Sequence, residues 1–208
     1  IASCLVGSEM CIRDSPLAGK IKSAGQAIPG VDIAIVDEND QVVTAGEVGE
    51  VCLKGPNVMK GYRNMPEQTD KAIVGQWLHT GDGGYLDEDG FLFIVDRVKD
   101  MIISGGENVY STEVENAIYQ YPGINQCAAI GIPSEKWGEQ VHAVVVLNEN
   151  STVSEDEIIS YCKTQIAGFK CPRSITFQTE PLPLSGAGKI LKTELRKPFW
   201  AGGEKNVN

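Results

Sequence analysis

The chain changes its hydrophobic pattern near residue 98, which predicts two differently built parts. Before this point, short β-branched runs are separated by glycine-rich turns, a pattern typical of strands. We predict these strands at 31–36, 42–43, 48–54 and 91–95. After it, strand and helix patterns alternate, which predicts a compact α+β domain of roughly 100 residues. Its strands are predicted at 101–103, 126–132, 141–147 and 175–178.

Two capping patterns mark predicted helix starts in the second part. Thr112 with Glu115, and Ser154 with Glu157, both have the S/T-x-x-E spacing of a capping box. We predict that the first helix ends at Pro122-Gly123 and that a terminal helix ends at Pro198. The second helix is predicted to bury an apolar face formed by Ile158, Ile159, Cys162 and Ile166.

Composition excludes several classes of function. The chain has 28 acidic and 18 basic side chains, for a formal charge of −10, which disfavours binding to nucleic acid or to anionic membranes. It has no run of about 18 apolar residues, so we expect no transmembrane helix. The 6 cysteines form no Cys-x-x-Cys pair and the 2 histidines are far apart. We therefore expect no metal site, and reduced thiols in a cytoplasmic protein.

The ends of the sequence suggest a fragment. The chain begins with Ile1, and the stretch 1–15 has neither a strand nor a helix period. It also lacks the features of a signal peptide, and we interpret it as a non-native leader. The β-rich part is too small to bury a core alone, so we expect it to be the last subdomain of a larger domain.

Four motifs follow one another between residues 80 and 192. They are Thr80-Gly81-Asp82, Asp96-Arg97-Val98-Lys99-Asp100, the run 103–115 (ISGGENVYSTEVE) and the run 182–192 (LPLSGAGKILK). One alone would be weak evidence, but four at these spacings resemble the adenylate-forming (AMP-binding) superfamily. That superfamily includes acyl-CoA synthetases, aryl-CoA ligases and peptide-synthetase adenylation domains. The resemblance extends over about 19–200.

The resemblance implies an α+β fold in which a β-rich remnant of the large N-terminal domain is followed by a small α+β C-terminal domain. In this layout, 16–98 is the C-terminal β subdomain of the AMP-binding domain. Residues 99–100 are a hinge, 101–199 a mobile C-terminal domain and 200–208 a tail.

The resemblance also implies a role for each motif. Asp82 and Arg97 would hold the ribose of ATP and AMP, since a carboxylate accepts hydrogen bonds from both ribose hydroxyls and a guanidinium donates several. Taken alone, Asp82 would be the cap of a turn, and Arg97 a surface ion pair with Asp96 or Asp100. Lys99 would be the hinge residue, although an exposed loop lysine has the same local sequence.

The two glycine-rich motifs would serve the chemistry. Gly105, Gly106 and Glu107 would line the tunnel for the pantetheine arm of CoA, with Gly106 at the position where a side chain would block it. The alternative is an ordinary strand-to-helix turn. Lys189 would be the catalytic lysine that offsets the repulsion between a carboxylate and the α-phosphate of ATP. Five further basic residues form a hypothetical patch for CoA or pyrophosphate, against the default of a solvated surface. They are Lys170, Arg173, Lys192, Arg196 and Lys197.

The function implied for the intact parent is that of an acyl-CoA synthetase, with a fatty-acid–CoA ligase preferred and an aryl-CoA (coumarate-type) ligase as the alternative. Its partners would be a small carboxylic acid, ATP and CoA. Mg²⁺ would bind in a missing N-terminal part, together with the phosphate loop, the adenine-binding segment and the acyl pocket. Without that part, we expect the chain alone to be inactive, or to be a non-catalytic nucleotide- or partner-binding module.

Overall fold

The computed structural model describes residues 18–200, which divide into two compact units. The first unit extends to Val95 and the second begins at Asp96. The leader predicted at 1–15 and most of the tail predicted at 200–208 lie outside the described residues. The domain boundaries and the hinge inferred from the sequence stay predictions.

The first unit is built on a five-stranded sheet in which β1, β2, β4 and β3 are neighbours in that order and β5 also pairs with β4. The strands are β1 (Asp32–Val36), β2 (Gly49–Lys54), β3 (Ile73–Val74), β4 (Trp77–Leu86) and β5 (Leu92–Arg97). Helix α1 (Pro66–Ala72) precedes β3, and a short 3₁₀ helix occupies Ala18–Lys20. Strand β5 begins in the first unit and continues to Arg97 in the second.

The two faces of this sheet each bury a small apolar cluster, because successive side chains of a strand point to opposite faces. Ala34, Val36 and Cys52 pack with Trp77 on one face. The other face buries Ile35, Val51 and Leu92. The strands predicted at 31–36, 48–54 and 91–95 are confirmed within a few residues, whereas Val42 forms only an isolated bridge to Val36.

The second unit contains the other five-stranded sheet. Its order is β10-β9-β6-β7, with β8 also paired to β9. Strand β10 runs parallel to β9, whereas β6–β7, β6–β9 and β8–β9 are antiparallel pairs. The strands are β6 (Ile102–Ser104), β7 (Glu107–Val109), β8 (Ile124–Ser134), β9 (Gly138–Leu147) and β10 (Ser174–Phe177). The helices are α2 (Ser111–Tyr119), α3 (Glu155–Gln165) and α4 (Lys192–Arg196), and a 3₁₀ helix spans Val98–Asp100.

Strands β8 and β9 divide the core of the second unit into two layers by their period of two. Cys127 and Ala129 face the cluster that includes Val114 of α2 and Ile158 of α3. The intervening residues of β8 face a second cluster, against which Leu195 of α4 packs. The fold is therefore mixed, with β-rich sheets, and the α+β class predicted from the sequence is confirmed. No helix in the described part of the chain is long and apolar enough to cross a membrane.

One predicted capping box is confirmed and the other is wrong. Ser154 caps α3: its hydroxyl accepts from the Glu157 N–H at 3.3 Å, and the Glu157 carboxylate accepts from the Ser154 N–H at 2.8 Å. Helix α2 begins one residue before Thr112, after an N-cap residue whose side chain makes no capping bond. The Glu115 carboxylate is used elsewhere, as an acceptor for the Ala129 N–H at 2.9 Å.

Two further expectations need correction. The alternative interpretation of the glycine motif at 104–108, a turn that leads directly from a strand into a helix, is wrong, because β7 intervenes and makes it a β-hairpin turn. The terminal helix is a single short helix, Lys192–Arg196, because Ile190 is held in an antiparallel bridge to Leu184. Helix α1 and strands β3 and β4 were not predicted.

Candidate functional site

Asp82 lies within strand β4, at a bulge in the first unit. Between Glu50 and Cys52, the register of β2 against β4 shifts. Three residues of β4, Thr80–Asp82, therefore oppose the single residue Val51. A bulge of this kind redirects the side chains of the longer strand. The Thr-Gly-Asp motif thus forms the bulge in β4, in addition to any role of the Asp82 carboxylate.

The side chains and backbone of the motif hold the bulge in place. The Thr80 hydroxyl donates to the Val51 carbonyl at 2.7 Å and accepts from the Asp82 N–H at 3.1 Å. Gly81 has a φ of +72°, which favours glycine, and its N–H donates to Glu50 Oε1 at 2.9 Å. Asp82 itself is half-buried, inside the strand rather than at the cap of a turn.

A cluster that the sequence did not predict lies beside this bulge. His79 Nδ1 is 2.9 Å from Glu50 Oε2 and 3.5 Å from Cys52 Sγ. Cys52 and His79 are directly opposite each other on β2 and β4. Burial, together with the charges of Glu50 and Asp40, raises the pKa of the Cys52 thiol to about 11. Cys52 and His79 are 27 residues apart in the sequence, and only the pairing of β2 with β4 brings them together, so no local spacing predicts the cluster.

In the second unit, Gly105 and Gly106 form the two-residue turn that joins β6 to β7. Their φ angles are +66° and +85°, the pattern of a type I′ hairpin turn, which L-residues other than Asn and Asp adopt poorly. A Cβ atom on Gly105 would lie 2.8 Å from the Trp137 ring, whereas one on Gly106 would meet no atom within 4 Å. Backbone conformation therefore constrains both glycines, and packing against Trp137 constrains Gly105 in addition. Glu107, the next residue, is exposed.

Lys189 lies on a closed loop whose two ends are hydrogen-bonded to each other. The Ser185 N–H donates to the Lys189 carbonyl at 2.7 Å, and the Lys189 N–H donates to the Ser185 hydroxyl at 3.1 Å. Gly188 has a φ of +77° and supplies the turn. The Lys189 side chain is exposed at the end of this loop, three residues before α4 begins.

Arg97 and Lys99 belong to one short segment at the start of the second unit. Arg97 ends β5 and Lys99 lies in the 3₁₀ helix that follows; both are exposed. Asp96, the residue of β5 before Arg97, is buried, and its Oδ1 accepts from the Arg97 N–H at 2.8 Å. Its other oxygen accepts from the Ser111 hydroxyl at 2.6 Å. Asp96 also accepts from the Thr112 N–H at 3.3 Å and so caps α2, in place of the predicted box.

Helix α4 is tied to this segment through Lys192. The Lys192 ammonium donates to the Ser111 hydroxyl at 2.6 Å, and that hydroxyl in turn donates to Asp96. Lys192 also forms an ion pair with Glu115 at 2.7 Å. Burial raises the pKa of Glu115, and the neighbouring Lys192 ammonium opposes that rise.

A second tie runs through Arg196, at the other end of α4. Its Nη2 donates to Asp100 at 2.9 Å and its Nη1 to the Lys99 carbonyl at 3.3 Å. Arg196 is buried, and its Nε has no hydrogen-bond partner among residues 18–200. The α4 helix thus links the Lys189 loop to the segment that carries Arg97 and Lys99. No sequence signal marked Arg196 as buried or Lys192 as half-buried.

The hypothetical basic patch is largely neutralised. Besides Lys192 and Arg196, Lys170 pairs with Glu113 at 2.8 Å and Lys197 with Glu194 at 2.7 Å. Arg173 lies over the Trp137 ring, 4.6 Å from its centre. Four of the five residues are therefore engaged by carboxylates, which makes them poor candidates for an anion site.

Two family models match the sequence. The model described as "AMP-binding enzyme" matches residues 2–63, and the model described as "AMP-binding enzyme C-terminal domain" matches residues 113–189. The first match includes most of the segment 1–15, whose interpretation as a non-native leader stays a prediction.

Curated relatives include CoA ligases of two kinds. A feruloyl-CoA synthase from Amycolatopsis sp is 47% identical over 183 residues, which cover 88% of this chain and 37% of the relative. A long-chain-fatty-acid–CoA ligase from Escherichia coli O6:H1 is 44% identical over 174 residues, which cover 84% of this chain and 31% of the relative. The chain thus spans about a third of the length of these relatives.

A solved structure is also similar to this chain. The o-succinylbenzoate-CoA synthetase from Bacillus subtilis, in complex with its acyl-adenylate intermediate, aligns with a TM-score of 0.79 at 37% identity, over 91% of this chain and 37% of that chain. Another structure of that synthetase holds ATP and a magnesium ion. With two family models, the curated relatives and this fold in agreement, the chain belongs to the AMP-binding, or adenylate-forming, enzyme superfamily.

Proposed function

We propose that this chain supplies the C-terminal part of an ATP-dependent acyl-CoA synthetase. In the first half-reaction, a carboxylate oxygen attacks the α-phosphorus of ATP and pyrophosphate leaves, which gives an acyl-adenylate. In the second, the CoA thiol loses its proton and attacks the acyl carbonyl, and AMP leaves. The observation that carries this proposal is the exposed Lys189 loop, joined through α4 to the segment that holds Arg97 and Lys99.

Lys189 is assigned to the first half-reaction. Its ammonium is exposed on a loop closed by Ser185, so it is free to approach a ligand while its backbone is held. Attack of a carboxylate on a phosphate brings two anions together, and a cation at that point stabilises the charge that develops in the transition state. Removal of a single such group typically costs about 10²–10³ in rate.

Asp82 and Arg97 are assigned to the ribose of the nucleotide. The bulge held by Thr80 and Glu50 gives Asp82 a defined backbone position, which supports a binding role. Arg97 is an exposed guanidinium at the end of β5, next to the buried and fully engaged Asp96. Lys99 is assigned as the hinge residue, which allows the second unit to change its pose between the two half-reactions.

The turn at Gly105 and Gly106, with Glu107, is assigned to the pantetheine arm of CoA. A Cβ on Gly106 would meet no protein atom within 4 Å, so protein packing leaves the space beside it open to an extended ligand. The positive φ at both glycines explains why the turn itself needs them.

ATP, Mg²⁺ and CoA complete the proposal. In the part of the chain that the structure describes, only Glu50, Cys52 and His79 bring three ligand side chains together. This set does not suit Mg²⁺, which prefers oxygen ligands throughout. We therefore assign the magnesium site to the remainder of the protein, with the triphosphate and acyl pockets. When bound there, Mg²⁺ would neutralise phosphate charge.

We propose a fatty acid as the carboxylate, with an aryl acid as the second candidate. The fatty-acid ligase relative supports the first and the feruloyl-CoA synthase relative the second. A cytoplasmic location belongs to the same proposal, and the four buried cysteines without disulfides, Cys52, Cys127, Cys162 and Cys171, support it.

The test is carboxylate-dependent ATP–pyrophosphate exchange by a protein that contains this chain with the rest of an AMP-binding domain. A panel of fatty and aryl acids should show exchange with one class, and the chain alone should show none. Lys189→Ala should lower the exchange about 10²–10³-fold, whereas Lys197→Ala, at an exposed ion pair, should not. Exchange that survives Lys189→Ala unchanged would refute the catalytic assignment. No exchange with any acid would favour a non-catalytic module.

A further inference from the structure

Three different ligand groups converge on one point of the first unit. Glu50 Oε2 and Cys52 Sγ lie 2.9 and 3.5 Å from the same atom, His79 Nδ1. All three ligand atoms lie within 4.8 Å of one another. Glu50 and Cys52 are two positions apart on β2, and His79 lies opposite Cys52 on β4. Two neighbouring strands therefore fix the arrangement.

A single imidazole nitrogen makes at most one strong hydrogen bond to these two neighbours, and the second contact is then at best a weak three-centre one. A neutral ring nitrogen either donates one hydrogen or accepts with one lone pair. If Nδ1 donates to the Glu50 carboxylate, it has no lone pair for the Cys52 thiol. If it accepts from the thiol, its lone pair faces the carboxylate. A cation between the three atoms removes this conflict, since all three then direct lone pairs at the same centre.

The spacing of the atoms is close to that of a tetrahedral metal site. With Zn–S near 2.3 Å and Zn–N near 2.0–2.1 Å, tetrahedral angles separate sulfur and nitrogen by about 3.5 Å. The separation of Cys52 Sγ and His79 Nδ1 is 3.5 Å. The expected nitrogen–oxygen separation is about 3.3 Å, against 2.9 Å for His79 and Glu50. The Glu50 oxygen would therefore have to move away from the imidazole by about 0.4 Å, and the third pair, sulfur and oxygen, lies within 4.8 Å.

The surroundings favour a partly enclosed ion. Cys52 and His79 line a cleft of about 170 Å³ whose other walls include the apolar side chains Val36, Val42 and Trp77. The thiolate and the Glu50 carboxylate would balance the two charges of a divalent ion, the neutral imidazole adds none, and Asp40, which also lines the cleft, adds negative charge nearby. Sulfur, nitrogen and oxygen ligands together suit Zn²⁺ and its relatives, not Mg²⁺ or Ca²⁺.

We propose that Glu50, Cys52 and His79 bind one divalent transition-metal ion of the zinc type, with a solvent molecule in the fourth position. Binding releases the Cys52 thiol proton to solvent and forms a bond from sulfur to the metal, with no change in oxidation state. Because Glu50 also accepts from the Gly81 N–H, the ion would fasten β2 to β4 beside the Thr80–Asp82 bulge. This site is separate from the magnesium of the proposed function.

The test is titration of the full chain with Co²⁺, whose bond to a thiolate gives a charge-transfer absorption in the near ultraviolet. Cys4 and Cys11, which lie outside the described residues, are first replaced by serine so that they cannot contribute. We expect the band to saturate at one Co²⁺ per chain, to disappear on addition of Zn²⁺, and to be absent in Cys52→Ser. The matched control is Cys171→Ser, which removes a buried thiol of the second unit and should keep the band.

A second pair of variants distinguishes loss of a metal ligand from loss of folding. Glu50→Gln and His79→Asn should each weaken Co²⁺ binding by more than the roughly 10–100-fold that changes outside the ligand set produce. Their circular dichroism should match that of the parent. Zn²⁺ should raise the Tm of the parent but not that of folded Glu50→Gln. Absence of a thiolate band in the parent, or a band of equal strength in Cys52→Ser, would overturn the proposal.

Discussion

Arg196 and Asp100 form an ion pair of 2.9 Å between residues that are 96 positions apart in the sequence. The same guanidinium also donates to the Lys99 carbonyl. The backbone next to Lys99 is therefore held by a side chain from α4, the helix that follows the Lys189 loop. This contact, more than any motif, relates the two ends of the second unit to each other.

Replacement of Arg196 by Met should lower the free energy of unfolding by about 3 kcal/mol, because Asp100 would lose its partner in a largely buried pair. Lys197→Met is the matched control. Its partner Glu194 is solvent-exposed and the pair should contribute less than about 1 kcal/mol. Urea unfolding of the two variants checks this. Equal losses of unfolding free energy would show that burial of Arg196 does not increase the contribution of its ion pair to stability.

Lys192 and Glu115 should show strong energetic coupling in a double-mutant cycle. Both side chains are mostly buried, and each also has a neutral partner, Ser111 or Ala129. We expect Lys192→Met and Glu115→Gln to be non-additive by about 1–3 kcal/mol in denaturant unfolding. Additive effects would mean that the two charges act independently.

Gly105→Ala and Gly106→Ala should both destabilise the chain, since each places a Cβ at positive φ. Each should cost about 1 kcal/mol for the backbone alone. Gly105→Ala should cost more, because its Cβ would meet the Trp137 ring at 2.8 Å. In the Trp137→Ala background, this excess should disappear. Thermal unfolding of the variants measures it, and an excess that persists without the ring would contradict the steric explanation.

Ser154→Ala should destabilise the second unit by about 1 kcal/mol, because it removes the hydroxyl that caps α3. Ser154→Thr, which keeps a hydroxyl acceptor, should cost much less. Chemical denaturation of both variants provides the comparison. A loss of similar size in the two variants would assign the effect to something other than the cap.

His142 should make the chain less stable as the pH falls. Burial lowers the pKa of His142 from its ordinary value of 6.5, while Glu155 acts weakly in the opposite sense. The unfolded chain therefore binds the proton more readily than the folded one, and this contribution to stability, present above pH 6.5, is lost as the pH falls towards the lowered value. The slope cannot exceed about 1.4 kcal/mol per pH unit for one proton.

Urea unfolding between pH 5.5 and 7.5 tests this, with His142→Gln as the comparison. The variant should be less stable at pH 7.5, since the imidazole bonds to Ser174 and Thr176 are altered. Its stability should depend less steeply on pH than that of the parent. Parallel curves would exclude His142 as the source of the acid dependence.

The sequence predicted those parts of the fold that local patterns determine. The strand at Asp32–Val36 and the box at Ser154 and Glu157 follow from alternation and capping, which act over a few residues. The box at Thr112 and Glu115 has the same spacing but failed, because Asp96 and Lys192 engage these groups from distant parts of the chain. Tertiary contacts of this kind leave no local signature.

In the candidate site, too, local motifs were predictable and long-range contacts were not. Asp82, Gly106 and Lys189 stood in recognisable motifs, whereas the supports around them did not. Strand β4 was missed because its glycine-rich, polar centre, Thr80–Gly84, has no alternation to detect, and the bulge there disrupts the period of two. The pairing of Cys52 with His79 depends on that strand and could not be foreseen without it.

The anchoring of α4 has a kinetic consequence for the backbone at Lys99. Any change of its backbone angles that moves the carbonyl away from Arg196 must first break the 3.3 Å hydrogen bond and strain the neighbouring ion pair. Changes that carry α4 along as one body break neither. Local unwinding at Lys99 therefore has to break contacts that a movement of this segment together with α4 leaves intact.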